Sequence, residues 1–175
     1  MKFIHLSDLH IGKQLHRYNL KEDQQVILKE VIAYAKEIGA TQEKLLRAVL
    51  ISDLITIHQK TGIGRLSAFC GATSAGIGAA CGIAWLDGGD YEVIAHTIVN
   101  GLAILSGMVC DGAKPSCAAK IATAVRNGLL GYQMYRQGCQ FYGGDGIVTK
   151  GVENTIANVG RLANRGMRST DCEIL

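Results

Sequence analysis

At 175 residues, 48% of them hydrophobic and 19% charged, the chain is long enough for one domain with a real core and too short for two ordinary ones. Its 22 glycines against a single proline point to close helix packing, not to a disordered or collagen-like chain. The 18 lysines and arginines against 15 aspartates and glutamates leave a net charge of +3 spread along the sequence, which excludes an electrostatic footprint for nucleic acid.

Lys2 to Leu6 reads as a short strand, followed by a polar loop through Arg17. Asn19 then caps a helix with Glu22 three residues on, and Ile27, Val31, Tyr34, Ala35 and Ile38 fall on one of its faces. Gly39 ends it, and Thr41 opens a second helix in which Leu46, Val49, Leu50, Leu54 and Ile57 recur at helical spacing. From Leu66 to Leu86 the spacing is again helical, but Gly71, Gly76, Gly78 and Gly82 each lower helix propensity by up to about 1 kcal/mol relative to alanine. Close approach of another helix or of a cofactor is the usual reason for such glycines. Ala68 to Leu86 is uncharged and near membrane-spanning length, yet its Gly, Ala, Ser and Thr make it weakly hydrophobic, so a buried helix is expected and no membrane span. Asp90 caps a fourth helix to Leu105. Pro115 falls in the first turn of a fifth that ends at Gly138, and Thr149 caps a last one running to about Arg165.

The expected fold is mainly α: a compact domain of about five helices, with Gly-rich packed helices, preceded by a short strand-loop-helix appendage. Met1 to His10 has Asp8 where a secretory segment needs an apolar run, so the cytoplasm is the expected location. There six cysteines stay reduced and serve as metal ligands, nucleophiles or small core residues.

The opening MKFIHLSDLHIGKQL delivers Asp8 and His10 from a strand end. SDLHIGK resembles the first motif of calcineurin-like metallophosphoesterases, and the stretch to about Lys36 most resembles the nuclease subunit of the SbcCD type. That resemblance implies that Asp8 and His10 are two ligands of a two-metal phosphodiesterase centre. The further ligand blocks such a centre needs have no counterpart downstream, so Asp8 and His10 read as a remnant metal site.

Cys70, Cys110 and Cys117 each lie beside small residues, in LSAFCGATSAG and GMVCDGAKPSC. Thiolates bind iron strongly, and small neighbours let backbone amides approach a cluster, but the spacing fits no common zinc or ferredoxin pattern and equally suits inert core cysteines. From about Gln42 onward, KLLRAVLISDLITIHQKTGIGRLSAFCGATSAGIGAACGIAWL, LSGMVCDGAKPSCAAKIATAV and GIVTKGVENTIANVGRLANRGM resemble the C-terminal part of the L-cysteine desulfidase and iron-sulfur L-serine dehydratase alpha-chain family. The resemblance implies a 4Fe-4S cluster held by Cys70, Cys110 and Cys117, in a lyase that deaminates L-serine or desulfurates L-cysteine to pyruvate and ammonia. It also implies a small amino-acid substrate and a complementing subunit or homo-oligomer, because the family is more than twice as long.

Lys114, Lys120 and His58 are the candidate general bases, though a lysine base needs a depressed pKa. Cys81 reads as a packing residue and Cys172 as a solvated tail residue. The expected division is a metallophosphoesterase-like fragment over 1–39 and the dehydratase-like helical domain over 40–175. The rival readings are a metal-dependent phosphodiesterase or exonuclease fragment and an inactive fusion product.

Overall fold

The computed structural model describes residues 14–15, 18–19, 39–65, 67–112 and 114–174. The chain divides into two units, Met1–Leu45 and Leu46–Leu175. In the first, Gln14–Leu15 (β1) and Tyr18–Asn19 (β2) pair antiparallel in a minimal hairpin, Gln14 opposite Asn19. Asn19, expected as a helix cap, thus lies in β2, and β1 falls in the stretch that the sequence suggested to be loop. The strand expected at Lys2 to Leu6, the helix face from Ile27 to Ile38, and Asp8 and His10 lie outside the described residues.

Helix α1 spans Gln42–Ile63, and Thr41 caps it as expected, its hydroxyl accepting from the Lys44 amide at 3.2 Å. Helix α2, Gly71–Leu86, is the axis of the second unit, with Ile77, Ala80, Cys81 and Ala84 fully buried. Its glycines explain its position. A Cβ on Gly76 would stand 2.6 Å from the oxygen and Cβ of Ala124, and one on Gly82 would stand 2.7 Å from the Ala48 carbonyl. Neighbouring helices therefore touch α2 backbone to backbone, which supplies the reason for glycine that propensity lacks.

Helix α3 is Tyr91–Ile104, capped by Asp90, whose carboxylate accepts from the Val93 amide at 3.1 Å; helix α4 is Ser116–Arg136. Two buried asparagines join α3 to α4 reciprocally: Asn100 donates to the Gly131 carbonyl at 3.0 Å and Asn127 to the Gly101 carbonyl at 2.9 Å. Helix α5, Val152–Arg161, passes into a π turn at Leu162–Gly166 and is followed by α6, Arg168–Ile174, which the sequence had not suggested. Thr149 is not the cap of α5. That position is held by Gly151 at φ 87°, in the left-handed region that favours glycine, while Thr155 Oγ1 accepts from the Thr149 amide at 3.2 Å.

The core joins Phe69, Ile77, Leu102, Ile156 and Val159 from four segments. The apolar stripe of α1 is not in it. Leu46, Val49, Leu50, Leu54 and Ile57 are 50–62% exposed, and the opposite face of α1 packs inward. The reason is geometric, because the glycines of α2 accept only the small side, with Ala48, Ser52 and Thr56, against their backbone. Helix α1 thus packs its small side inward and leaves its larger apolar stripe exposed. Among the described residues no helix is long and apolar enough to cross a membrane.

Candidate functional site

Two short extended segments bring the first two cysteines together. Phe69 and Val109 form an antiparallel bridge, around which the Cys70 amide donates to the Met108 carbonyl at 2.8 Å and the Cys110 amide to the Ala68 carbonyl at 2.6 Å. Phe69, 2% exposed, anchors this ladder in the core. The Ser67 hydroxyl donates to the Ala163 carbonyl at 2.8 Å, and the Asp171 carboxylate of α6 accepts from the Ala68 amide, so the C-terminal helix ties down the same strand. Cys117 lies in the first turn of α4, its Sγ 3.5 Å from the Gly112 carbonyl and 3.5 Å from the Lys114 amide.

Asp111 and Lys120 connect the three positions. Lys120 Nζ donates to Asp111 at 2.5 Å and to the Val109 carbonyl at 2.9 Å, and Lys114 Nζ stands 3.4 Å from the other Asp111 oxygen. The Lys120 hydrogen bond, the residue's own backbone and the nearby Lys114 charge hold the Asp111 carboxyl down at about 2. Lys120 is pushed upward, first by the Asp111 hydrogen bond and further by attraction to Asp111, Cys70 and Cys117. That decides its chemistry: an ammonium stabilised in its charged form is the opposite of the depressed lysine that proton abstraction needs. Lys120 is a cation held by Asp111. His58 is occupied elsewhere, with Nε2 2.8 Å from Glu153 Oε2 on α5. Among the described residues no candidate base emerges beside the thiols.

Cys70 is buried, and Cys110 and Cys117 are half-buried; all three are free thiols. Cys81 is fully buried and burial pushes its thiol well up, the behaviour of the packing residue it was expected to be. Cys139 and Cys172 are exposed. Among the described residues no three His, Cys, Asp or Glu side chains close on one point as a single metal ion requires. A four-iron cluster makes a different demand, since its ligands bind separate irons at separate corners. Three free thiols carried by an anchored ladder and a helix start fit that demand. A second observation agrees. Thr73 Oγ1 and Ser74 Oγ, in the first turn of α2 just after Cys70, are buried without a hydrogen-bond partner, and no side chain caps that helix. Buried orphan hydroxyls beside an uncapped helix N-terminus suit an anionic group. These two residues were missed in the sequence, where the only signal was a pair of hydroxyls in a run of glycine and alanine.

The family model for the serine dehydratase alpha chain matches residues 25–175. The chain belongs to the serine dehydratase alpha chain family. The match begins at residue 25, within the segment that the opening motif likened to metallophosphoesterases. Among curated relatives of this family member, a UPF0597 protein of Desulfitobacterium hafniense is 65% identical over 145 residues, covering 83% of this chain and 34% of the relative. UPF0597 proteins of Treponema denticola and Finegoldia magna are 50% and 47% identical over the same length, covering 83% of this chain and 34% and 35% of their own. The chain thus spans about a third of the length of these relatives. No solved structure matches.

Proposed function

We propose that this serine dehydratase alpha chain family member is the cluster-binding portion of an iron-sulfur lyase, acting on L-serine or L-cysteine in the cytoplasm to give pyruvate and ammonia. The observation that supports the proposal is the placement of Cys70 and Cys110 on either side of the Phe69–Val109 bridge and of Cys117 in the first turn of α4, with Lys120 paired to Asp111 beside them. Cys70, Cys110 and Cys117 hold a 4Fe-4S cluster. With three thiolate ligands such a cluster supplies, when bound, a Lewis-acidic iron that draws off the hydroxyl or thiol leaving group. Lys120, locked to Asp111, fixes the loop between Cys110 and Cys117 and sets a positive charge beside the thiolates. The Thr73 and Ser74 hydroxyls and the first-turn amides of α2 offer donors to an anionic substrate group.

The chain does not complete the reaction alone. Among the described residues no base is assigned beside the thiols, the chain spans a third of its relatives, and α1 presents an apolar stripe from Leu46 to Ile57. The occupant of that stripe is the portion of the full-length relatives that this chain does not match, on the same or on another polypeptide. The helical domain over 40–175, within the 25–175 that the family model matches, carries this reading.

Co-expression with the unmatched portion of the Desulfitobacterium hafniense relative tests the proposal. Anaerobically prepared complex is expected to release pyruvate from L-serine or L-cysteine, whereas either part alone does not. Leu50→Lys with Leu54→Lys, both at exposed positions of α1, should abolish co-purification while leaving the helical signature of this chain unchanged. A pair that forms no complex, or a complex inert toward both amino acids, counts against it.

A further inference from the structure

A cleft of about 590 Å³ opens away from the cysteines. Cys70 stands at the N-terminal end of α2, which rises about 24 Å over its 16 residues to Leu86. Beyond the turn at Asp87–Asp90 begins the part of α3 that walls the cleft, facing the loop from Phe141 to Val152. Its volume is in the range of small-molecule sites, and Val99, Phe141 and Val148 give it apolar lining.

The polar groups of the cleft are held in place by the fold but left unused by it. The His96 ring stacks on Tyr135, centroids 4.3 Å apart and planes 9° from parallel, and its Nδ1 is buried with no hydrogen-bond partner. Thr149 Oγ1 is also buried without a partner, although the Thr149 amide and carbonyl are both fixed by Thr155 Oγ1, at 3.2 and 3.1 Å. Lys150, in the cleft wall, has no carboxylate partner among the described residues, since Glu153 is taken by His58 and Asp145 accepts from the Tyr142 amide at 2.6 Å. Two side chains hold the loop before any ligand arrives: Asn100 accepts from the Phe141 amide at 3.1 Å and Asn158 donates to the Ile147 carbonyl at 2.9 Å. Such pre-organisation lowers the ordering cost of binding.

We infer that this cleft is a second ligand site, distinct from the cysteine site, for a small monocarboxylate with an apolar body. The carboxylate meets the Lys150 ammonium and the Thr149 hydroxyl, next to the uncapped first turn of α5, and the apolar body lies along Val99, Phe141 and Val148. Glu92, another wall residue, sets a negative charge 3.7 Å from His96 Nε2. That charge disfavours doubly charged anions such as phosphate and leaves room for an amino group on the ligand.

The test is a titration of the full ¹⁵N-labelled chain with 3-phenylpropionate, L-phenylalanine and inorganic phosphate, followed by amide chemical shifts. Saturable shifts are expected for residues 91–99 and 141–152 with either carboxylate and not with phosphate. Lys150→Ala, at an exposed position, should weaken binding about tenfold or more, and Thr149→Val should also weaken it. Tighter binding of phenylalanine, with the advantage erased by Glu92→Gln, would place the amino group at Glu92. Cys70→Ser should leave the affinity unchanged, so a failed cluster does not touch this inference. Absence of saturable shifts up to about 10 mM, weaker than any useful site, overturns it. So does unchanged affinity in both Lys150→Ala and Thr149→Val, or phosphate binding as tightly as the carboxylates.

Discussion

Replacing Gly76 by alanine is expected to destabilise the chain by about 3 kcal/mol, the upper range for forcing a methyl group into a packed interior. The new Cβ would stand 2.6 Å from the Ala124 oxygen and Cβ, and these belong to helix α4, so no side-chain rotation relieves the clash. Either α2 and α4 separate or one of them shifts along the other. Separation also disturbs Gly128, where a Cβ would meet the Gly76 carbonyl at 2.8 Å, which shows how mutual the approach is. Since α2 starts at Cys70 and α4 holds Cys117 in its first turn, the shift moves two of the three thiols relative to each other. Thermal unfolding is expected to drop by about 10 °C, given about 2–4 °C per kcal/mol for a domain this size. Gly71→Ala is the control. Nothing lies within 4 Å of a Cβ there and its φ is not positive, so its midpoint should stay within a degree or two of wild type or rise slightly. Equal losses in the two variants would mean that the close crossing is not what stabilises the fold.

Asn100→Ala is expected to destabilise the chain by about 3 kcal/mol, through an orphaned backbone amide and a lost hydrogen bond between α3 and α4. Asn100 is fully buried, donates to the Gly131 carbonyl at 3.0 Å and accepts from the Phe141 amide at 3.1 Å. Alanine leaves an amide of the cleft loop without its partner and removes the second hydrogen bond that the Gly131 carbonyl accepts beside its own helical one. The effect should be local as well as global. Amide exchange across residues 139–152 should accelerate more than in α2, because Phe141 begins the loop that the asparagine fixes. Asn100→Asp keeps an acceptor for Phe141 but loses the donor to Gly131 and buries a carboxylate, so it should be no more stable than alanine. Uniform exchange across all helices would show that Asn100 acts only as packing.

Much of the helical unit was legible in the sequence because its stop and start signals are strong. Asp90 and Thr41 accept first-turn amides as their positions suggest, and the glycines of α2 mark where neighbouring backbones approach. The site was partly legible: cysteines beside small residues pointed to Cys70, Cys110 and Cys117, but no local pattern reveals that Phe69 and Val109 pair across forty residues to align two of them. Lys120 could be named as a base from its proximity in sequence, whereas its actual chemistry depends on Asp111, a contact nine residues away across a loop. Thr149 misled because a threonine before a helix looks like a cap; the cap position is Gly151 at positive φ, and the Thr149 amide is itself held by the Thr155 hydroxyl. The stripe on α1 misled differently. Helical spacing of Leu46, Leu50, Leu54 and Ile57 reads as the core-facing side, and only the glycines facing Ala48 and Ser52 reverse it.

The relation between chain length and site follows from the same geometry. Thiols, a fixed cation and orphan hydroxyls lie at one end of α2, a cleft with its own unpartnered groups lies toward the other, and α1 carries an exposed apolar stripe. Each can be tested separately, since no residue is shared among the three.

The most direct measurement is the iron and acid-labile sulfide content of this chain after anaerobic cluster reconstitution, in wild type beside Cys70→Ser, Cys110→Ser and Cys117→Ser. The account predicts about four iron and four sulfide per wild-type chain and a loss of most of both in every single variant, with helical content unchanged. A wild-type chain that takes up neither iron nor sulfide, or variants that retain both in full, would contradict it.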